Sequence, residues 1–371
     1  ILEAAREAGF DLAGLAPLAP PPDAGRFGAW LEAGRAAGMD WLERNRARIE
    51  DPRGLAAGPS SLLVVGLGHG REAVELPGGG RVARYAAGRD YHNRLGKALK
   101  RFGKALEREG VAPTGRSMTD AAPLLERSHA QVAGLGFASK AANLLHPDHG
   151  PWFFLGELVL ELPFEEVGPA PSPPNGSCGT CTACLEVCPT GALVAPGEVD
   201  AGLCLSYLTI EHRGPIPRQL RADLGEWLFG CDLCSEVCPW GSKAPDKSDD
   251  WGRHPALDQS LAELLVAEPE SFRETWRGSP LQRPKREGLA RNAALVLGNR
   301  PTEAGREALT RALAEDPAPV VREAAAWGLA RGHGDEPSTL PAVERALADL
   351  PPGPLGTLME ATRRDLADGV S

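Results

Sequence analysis

The pattern of apolar and polar positions predicts an α/β segment over roughly the first 170 residues. Within Ser61–Leu67, the apolar run Leu62-Leu63-Val64-Val65 predicts a buried strand, and Asp11–Ala16 predicts a shorter one. Tyr91–Glu109 carries apolar residues at helical spacing with basic residues opposite, which predicts an amphipathic helix. Two further stretches are predicted to be helical, Ile1–Ala8 and Phe27–Arg48. The segment is therefore interpreted as α/β.

The chain after about residue 255 has a helical pattern throughout. Arg291-Asn292-Ala293-Ala294 recurs 31 residues later as Arg322-Glu323-Ala324-Ala325, and each copy is predicted to open an Ala/Leu-rich helix. A repeat of this length indicates stacked helix pairs of the HEAT type. Two copies leave an ordinary helical bundle as the alternative.

All eight cysteines lie between Cys178 and Cys238, in two runs that each end in Cys-Pro. Such runs are typical of proteins with two 4Fe–4S clusters, in which the last cysteine of one run binds the other cluster. The crossover rule assigns the ligands of cluster 1 as Cys178, Cys181, Cys184 and Cys238. It assigns the ligands of cluster 2 as Cys188, Cys204, Cys231 and Cys234.

Three other uses of the cysteines remain open at this point: zinc sites, a disulfide framework and free thiols. Paired Cys-x-x-Cys steps also hold zinc, so two four-cysteine zinc sites are an alternative. A disulfide framework fits small secreted domains better than a chain of 371 residues. The triple spacing followed by Cys-Pro, present twice, favours the iron–sulfur interpretation.

Length and composition predict a multidomain protein of a reducing compartment. With 42% hydrophobic residues the chain can build sizeable cores, and no run of 18 apolar residues predicts a membrane span. Cluster-bound thiolates point to the cytoplasm. We expect an α/β domain over 1–170, a ferredoxin-like cluster domain over 171–250, and a helical domain over 251–371. A proline-rich stretch, 168–176, is predicted to form a stiff linker.

A basic stretch interrupts an otherwise acidic chain. The net charge is −10, yet six cations lie within residues 273–291, interrupted by only two glutamates. Such a stretch can neutralise nucleic-acid phosphates, and Trp276 is a candidate for packing on a ribose or base. The alternative is an ordinary solvated surface. The predicted nucleic-acid contacts are Arg277, Arg283, Lys285, Arg286 and Arg291.

Several motifs around these features resemble the epoxyqueuosine reductases, and the resemblance covers about residues 1–340. The matching segments are Arg84-Tyr85-x-x-Gly88-Arg89-Asp90-Tyr91-His92, Met118-Thr119-Asp120-Ala121-Ala122-Pro123-Leu124-Leu125-Glu126-Arg127, Ala133-Gly134-Leu135-Gly136-Phe137-Ala138-Ser139-Lys140, Trp152-Phe153-Phe154-Leu155-Gly156-Glu157, Cys204-Leu205-Ser206-Tyr207-Leu208-Thr209-Ile210-Glu211 and Trp227-Leu228-Phe229-Gly230-Cys231-Asp232.

The resemblance implies a reaction, its cofactors and its partners. Members of this family remove the epoxide oxygen of epoxyqueuosine at the wobble position of tRNA, giving queuosine and water. The implied cofactors are cobalamin, bound by the N-terminal domain, and the two 4Fe–4S clusters. The implied partners are a tRNA with a queuosine-type wobble base and a flavodoxin or ferredoxin-type electron donor. We expect a monomer that does not bind membranes.

The resemblance also implies roles for individual residues. Asp120 stands where the family has its proton donor, although an Asp in this context would otherwise be read as a helix cap or turn residue. The family has an arginine that contacts cobalamin. The nearest candidate in this sequence is Arg48, which lies one residue out of register with it. The other implied cobalamin contacts, besides Asp120 itself, are Ala83, Leu144, Leu155, Ser206, Asp232 and Leu233.

Two other functions are compatible with the cysteines. One is a different corrinoid iron–sulfur reductase, similar to the reductive dehalogenases. The other is a non-catalytic two-cluster electron-transfer protein, which would leave the N-terminal domain and Asp120 without a role.

Overall fold

The computed structural model describes residues 1–120, 122–167, 172, 176–350 and 353–369. Most of the predicted linker, 168–171 and 173–175, lies outside the described residues. The strands are β1 (Leu12–Pro17), β2 (Ser61–Gly68), β3 (Val74–Glu75), β4 (Arg81–Val82), β5 (Pro113–Met118), β6 (Phe137–Ala138), β7 (Leu144–Leu145), β8 (Phe153–Leu160), β9 (Leu193–Ala195), β10 (Glu198–Val199) and β11 (Trp227–Phe229).

The helices before the repeat region are mostly short. They are α1 (Leu2–Glu7), α2 (Ala24–Glu32), α3 (Asp40–Arg44), α4 (Arg46–Glu50), α5 (Tyr91–Arg108), α6 (Glu126–Val132), α7 (Phe164–Val167), α8 (Ala183–Val187), α9 (Leu205–Ile210), α10 (Arg218–Arg221), α11 (Leu233–Glu236) and α12 (Ser248–Trp251). The remaining ones are α13 (Leu261–Leu265), α14 (Pro269–Thr275), α15 (Lys285–Asn299), α16 (Glu303–Glu315), α17 (Pro319–His333), α18 (Thr339–Ala348) and α19 (Pro354–Ala367).

The chain folds into two compact units that interleave along the sequence. Unit 1 comprises 1–71, 90–202 and 232–251, and unit 2 comprises 72–89, 203–231 and 252–371. The predicted cluster segment, 171–250, therefore contributes to both units. The three-domain division of the sequence stays a prediction.

Unit 1 is built on an antiparallel four-stranded sheet in the order β1-β2-β8-β5. The predicted strand at 61–67 is confirmed as β2, and its apolar run is fully buried because both faces of the strand are covered. Helix α5 packs on β8 so closely that a Cβ added at Gly156 would lie 2.9 Å from Leu99 Cδ1. This close approach fixes the first half of α5, at Leu95 and Leu99, relative to the middle of β8.

One helical prediction in unit 1 was wrong in its extent. The stretch Phe27–Arg48 is not continuous but is divided among α2, α3 and α4. The interruption contains Gly34 at φ 70° and Ala37 at φ 50°. These left-handed conformations cannot continue a right-handed helix.

Unit 2 contains the helical repeats and a three-stranded sheet in the order β11-β4-β3. Helices α15 and α17 pack closely, and a Cβ added at Gly298 would lie 2.6 Å from the Cα of Gly328. The repeated tetrapeptides lie within α15 and α17 rather than opening them, since these helices begin at Lys285 and Pro319.

A buried ion pair joins α10 to α17 within unit 2. Arg221 donates two hydrogen bonds of 2.9 Å to the carboxylate of Glu323, and each side chain is 1% exposed. The remaining Nε donor of Arg221 bonds the carbonyl of Ile216 at 2.8 Å. A buried charge pair of this kind becomes costly when one member is removed, because the other charge is left without compensation.

We expect Glu323→Gln to lower the free energy of unfolding by about 3–5 kcal/mol, since the Arg221 guanidinium would remain buried without its counter-ion. Urea denaturation followed by circular dichroism measures this change. The matched control is Glu315→Gln, which breaks an exposed pair with Arg311 and should cost about 1 kcal/mol or less. Equal effects of the two substitutions would contradict the prediction.

Candidate active site and iron–sulfur centre

Unit 1 brings the four cysteines predicted for cluster 1 to one place. Cys178, Cys181, Cys184 and Cys238 line one open cavity, together with Cys234. None of the eight cysteines of the chain forms a disulfide. Among the described residues, no group of three or more His, Cys, Asp or Glu side chains closes on the position of a single metal ion.

The chain before the first cysteine run supports this cavity through Lys140. Its ammonium donates hydrogen bonds to the carbonyl of Gly179 at 2.8 Å and to that of Cys181 at 2.9 Å. Its backbone N–H lies 3.4 Å from Cys178 Sγ, within hydrogen-bonding range of sulfur. Hydrogen bonds and positive charge near cluster sulfurs favour the reduced state, so Lys140 is placed to tune the cluster potential.

The cysteines predicted for cluster 2 are divided between the units. Cys188 and Cys234 belong to unit 1, whereas Cys204 and Cys231 belong to unit 2. In unit 1 the backbone N–H of Ala192 lies 3.3 Å from Cys188 Sγ. The assignment of individual ligands to cluster 2 therefore stays a prediction from the sequence.

Asp120 lies in the loop between β5 and α6, two residues after Met118, and its side chain is 45% exposed. Its backbone has a φ of 56°, a left-handed conformation that Asp tolerates better than most residues. Its Oδ2 atom accepts a hydrogen bond of 2.8 Å from the Tyr91 hydroxyl, and the Nε2 atom of His92 lies 3.4 Å away. The carboxylate of Asp120 is thus both accessible and oriented.

His92 provides the positive charge beside Asp120. Burial alone lowers the pKa of His92, but its contacts with Asp120 and Asp90 outweigh that effect and raise the pKa to about 9. The Nδ1 atom of His92 lies 2.7 Å from Asp90 Oδ1, which fixes the ring. His92 is therefore an imidazolium at neutral pH and stores a proton next to Asp120.

Two glutamates, Glu126 and Glu157, lie next to the loop that carries Asp120. Glu126, the first residue of α6, accepts a hydrogen bond of 2.6 Å from the backbone N–H of Asp120, which holds the loop. Burial, and then the charge of Asp120, raises the pKa of Glu126 to about 7. Glu157 is 0% exposed, and burial followed by the neighbouring Glu126 carboxyl raises its pKa well above the usual value. Burial and the neighbouring Glu126 carboxyl both oppose ionisation of Glu157, so the protonated form of Glu157 is favoured.

The sequence interpretation assigned no role to Tyr91, His92, Glu126 or Glu157, although all four lie in motifs that carried the resemblance. A signal was available for Glu157, because it is an acidic residue inside the apolar strand Phe153–Leu160. The partners of Asp120 were not visible, since Tyr91 lies 29 residues away in sequence.

The predicted cobalamin contacts differ in accessibility. In unit 1, Leu155 and Leu233 are half-buried, Arg48 is exposed on α4, and Leu144 and Asp232 are buried. In unit 2, Ser206 is half-buried on α9 and Ala83 is 1% exposed. Asp120, Leu155 and Leu233 therefore keep surface that a macrocycle can contact, whereas Ala83 can offer little beyond its backbone.

The cations of the basic stretch, predicted to face a nucleic acid, are only partly at the surface of unit 2. Arg277, Arg283 and Lys285 are exposed, and Arg283 lies 2.6 Å from a carboxylate oxygen of Glu211. The prediction of a surface contact was wrong for Arg291, which is 1% exposed and donates to backbone carbonyls of Leu208, His212 and Gly214.

Two further predictions for this stretch were also wrong. Arg286 forms a two-pronged ion pair with Asp316, and its side chain is 10% exposed. Trp276 is fully buried and stacks on His254, so it cannot pack on a ribose or base. These side chains hold unit 2 together instead of facing a partner.

Three family models match the chain. A 4Fe-4S double cluster binding domain matches residues 177–241, the epoxyqueuosine reductase QueG family (DUF1730) matches residues 49–121, and HEAT repeats match residues 281–355. The matches support the iron–sulfur interpretation of the cysteines over zinc and the repeat interpretation over a simple bundle.

Curated relatives and solved structures agree with these models. The chain is 38% identical over 340 residues to the epoxyqueuosine reductase of Xanthomonas campestris, covering 89% of this chain and 94% of the relative. It is 35% identical over 335 residues to that of Escherichia coli, covering 88% and 86%. The crystal structure of an epoxyqueuosine reductase with a tRNA-Tyr stem loop superposes with a TM-score of 0.88 at 27% identity, covering 98% and 97%.

A chain that combines a double-cluster cysteine motif, an accessible acid on a sheet domain and HEAT repeats is an iron–sulfur oxidoreductase with a helical-repeat region. More specifically, it belongs to the epoxyqueuosine reductase family. The resemblance drawn from the motifs is therefore confirmed, as are the 4Fe–4S clusters and the mixed α/β and helical-repeat fold.

We expect Glu157→Gln to raise the free energy of unfolding near neutral pH. The folded protein retains a proton on Glu157 that the unfolded chain releases above the ordinary glutamate pKa, so wild-type stability falls as pH rises above that ordinary value. Glutamine is neutral at every pH and removes this loss. Urea denaturation at several pH values tests the prediction, with the exposed Glu107→Gln as control.

A Glu157→Gln protein that is less stable than wild type at about pH 8, or whose advantage does not shrink toward about pH 4, would contradict the proton assignment. The Glu107→Gln control should follow the wild-type pH profile, because Glu107 is exposed on α5.

Proposed function

We propose that this chain reduces epoxyqueuosine to queuosine in tRNA, with Asp120 as the proton donor to the departing epoxide oxygen. The observation that supports this role most directly is the accessible Asp120 carboxylate, held by Tyr91 and His92 on one side and through its backbone by Glu126 on the other. A Bacillus subtilis epoxyqueuosine reductase, 26% identical with a TM-score of 0.85, has an aspartate catalytic loop that was captured swung out of the active site.

The reduction adds two electrons and two protons, breaks both C–O bonds of the epoxide, forms a carbon–carbon double bond and releases the oxygen as water. Asp120 must be protonated when the epoxide ring opens, yet the contacts from Tyr91 and His92 stabilise its carboxylate. The imidazolium of His92 resolves this conflict, because its Nε2–H can transfer a proton to the Asp120 carboxylate. Asp120 can then donate a proton to the departing epoxide oxygen. Tyr91 keeps the carboxylate in the orientation that both transfers need.

Cobalamin is proposed as the electron-transferring cofactor at this site, where it would supply a strongly reducing cobalt. The residues of unit 1 suit a macrocycle, because Leu155 and Leu233 are half-buried and keep apolar surface accessible, and the Asp120 side chain is 45% exposed. Arg48 and the backbone of Leu144 and Asp232 are further proposed contacts. In unit 2 the proposed contacts are Ala83 and Ser206.

Electrons are proposed to enter through the 4Fe–4S clusters from a flavodoxin or ferredoxin-type donor. Cys181 is exposed, whereas the other three cysteines predicted for cluster 1 are half-buried. An electron donor can therefore approach the cavity from the side of Cys181. Among the described residues no helix is both long and apolar enough to cross a bilayer. We propose a cytoplasmic enzyme that acts as a monomer.

Substrate tRNA is proposed to contact unit 2 through Arg277, Arg283 and Lys285, which are exposed. A crystal structure of an epoxyqueuosine reductase contains an epoxyqueuosine-modified tRNA stem loop, which supports tRNA as the substrate of this chain. Phosphate contacts by these cations would position the tRNA without reading its sequence.

We expect Asp120→Asn to slow single-turnover conversion of epoxyqueuosine-containing tRNA by about 100-fold or more, because asparagine cannot donate an acidic proton. The tRNA affinity and the cluster absorption spectrum should stay unchanged. Asp223→Asn, at an exposed position of unit 2, is the matched control. Normal turnover by Asp120→Asn with both cofactors bound would refute the proton-donor role.

A second expectation concerns pH. Since His92 must be protonated to resupply Asp120, the single-turnover rate should fall as pH rises through the His92 pKa of about 9. In His92→Gln the rate at neutral pH should drop, by about tenfold, and this high-pH decline should disappear. His149→Gln serves as the control. If the single-turnover rate of His92→Gln still falls at high pH as in the wild type, another group is responsible for that titration.

A further inference from the structure

We propose that the exposed face of α5 binds the phosphate backbone of the substrate tRNA. We call this face the α5 cation face and define it as Lys97, Lys100, Arg101, Lys104 and Arg108. The inference rests on the proposed function, since it assumes a tRNA substrate, but it concerns a surface that neither the motifs nor the basic stretch of unit 2 includes.

The α5 cation face is set by the amphipathic pattern of the helix. Four apolar side chains of α5 are buried against the sheet of unit 1, which forces the polar side chains outward. All five cations are exposed, and the only acidic residue within Tyr91–Arg108 is Glu107. The buried apolar residues are Leu95, Leu99, Phe102 and Leu106.

The cations of the α5 cation face have no carboxylate partner in the part of the chain that the structure describes. Among the described residues, none of the five has a carboxylate oxygen within the 4.0 Å of an ion pair, although the chain has ten more acidic than basic residues. Arginines on other helices do find such partners, as Arg306 does with Glu303 and Arg363 with Glu360.

The spacing of the cations is unfavourable for the isolated helix. Lys97 and Arg101, Lys100 and Lys104, and Lys104 and Arg108 are each four residues apart, so like charges face each other on neighbouring turns. A polyanion laid along the helix would remove this repulsion, and it would release the counter-ions that its phosphates hold in solution.

The position of α5 beside the Asp120 loop favours tRNA as the partner. The helix begins at Tyr91, whose hydroxyl bonds Asp120, and the cation face starts about 9 Å along the helix axis from the Tyr91 backbone and continues for a further 17 Å or so. A tRNA that presents its wobble base to Asp120 must pass neighbouring phosphates over surface within this range. An electron donor instead has to approach the cysteine cavity.

Arg94 is excluded from the face because it is already used. Its guanidinium lies over the ring of Trp251 at 4.2 Å from the centroid and donates to the carbonyl of Asp250. It therefore ties α5 to α12 within unit 1.

The test is a triple neutralisation, Lys100→Gln/Arg101→Gln/Lys104→Gln, in the full-length holoenzyme. Affinity for a tRNA with a queuosine-type anticodon is measured by titration at several salt concentrations. Each lost phosphate contact should lower the slope of log affinity against log salt by about 1, so we expect a slope smaller by about 2–3 and affinity reduced about tenfold or more at low salt.

The matched control is Arg6→Gln/Arg26→Gln/Arg44→Gln, which removes the same charge from exposed positions of unit 1 outside α5. Circular dichroism and cluster absorption confirm that both triple variants fold and are loaded. An unchanged salt slope in the α5 variant, or an equal change in the control, would overturn the inference.

Two other outcomes are decisive. If the α5 variant binds tRNA normally but its clusters are reduced more slowly by flavodoxin, the face docks the electron donor and the inference is wrong. If wild-type protein neither binds nor converts epoxyqueuosine-containing tRNA, the proposed function itself fails. If wild type binds and converts the tRNA while the α5 variant matches it, only the inference fails.

Discussion

The antiparallel register of β8 is the constraint on which the site of unit 1 depends. It pairs Glu157 with Val64 of β2 on one side and with Met118 of β5 on the other. Because Met118 is two residues before Asp120, this register places the loop carrying the acid over a buried carboxyl group. Helix α5, packed on β8 at Gly156, brings Tyr91 and His92 to the same loop. One strand thus positions groups from three separate parts of the chain.

Local spacing explains what the sequence predicted well. Cys178, Cys181 and Cys184 are separated by two residues each, so their convergence in unit 1 follows from short turns, whereas Cys238 comes from the second run and was predictable only from the crossover rule. The amphipathic helix at 91–109 was predictable for the same reason. The break after α2 was missed, although Gly34 in a left-handed conformation is a common helix end; the left-handed conformation of Ala37 has no such local signal.

Long-range pairing explains the errors in the basic stretch. Six cations in nineteen residues look like one surface, but the carboxylate that pairs with Arg286 is Asp316, thirty residues away. Arg291 instead satisfies carbonyls near the end of α9, about eighty residues earlier. Composition cannot separate a cation that faces solvent from one that stabilises the fold. The structure makes this separation by showing where each guanidinium finds acceptors.

The left-handed backbone at Asp120 has a consequence for which amino acids the position can hold. Glycine, asparagine and aspartate adopt a φ near 56° readily, whereas longer side chains do so rarely. Glutamate has similar acidity but would strain the loop, so aspartate is the one carboxylic acid that suits both the chain geometry and the chemistry. The backbone conformation at this position therefore favours aspartate over glutamate, independently of the substrate.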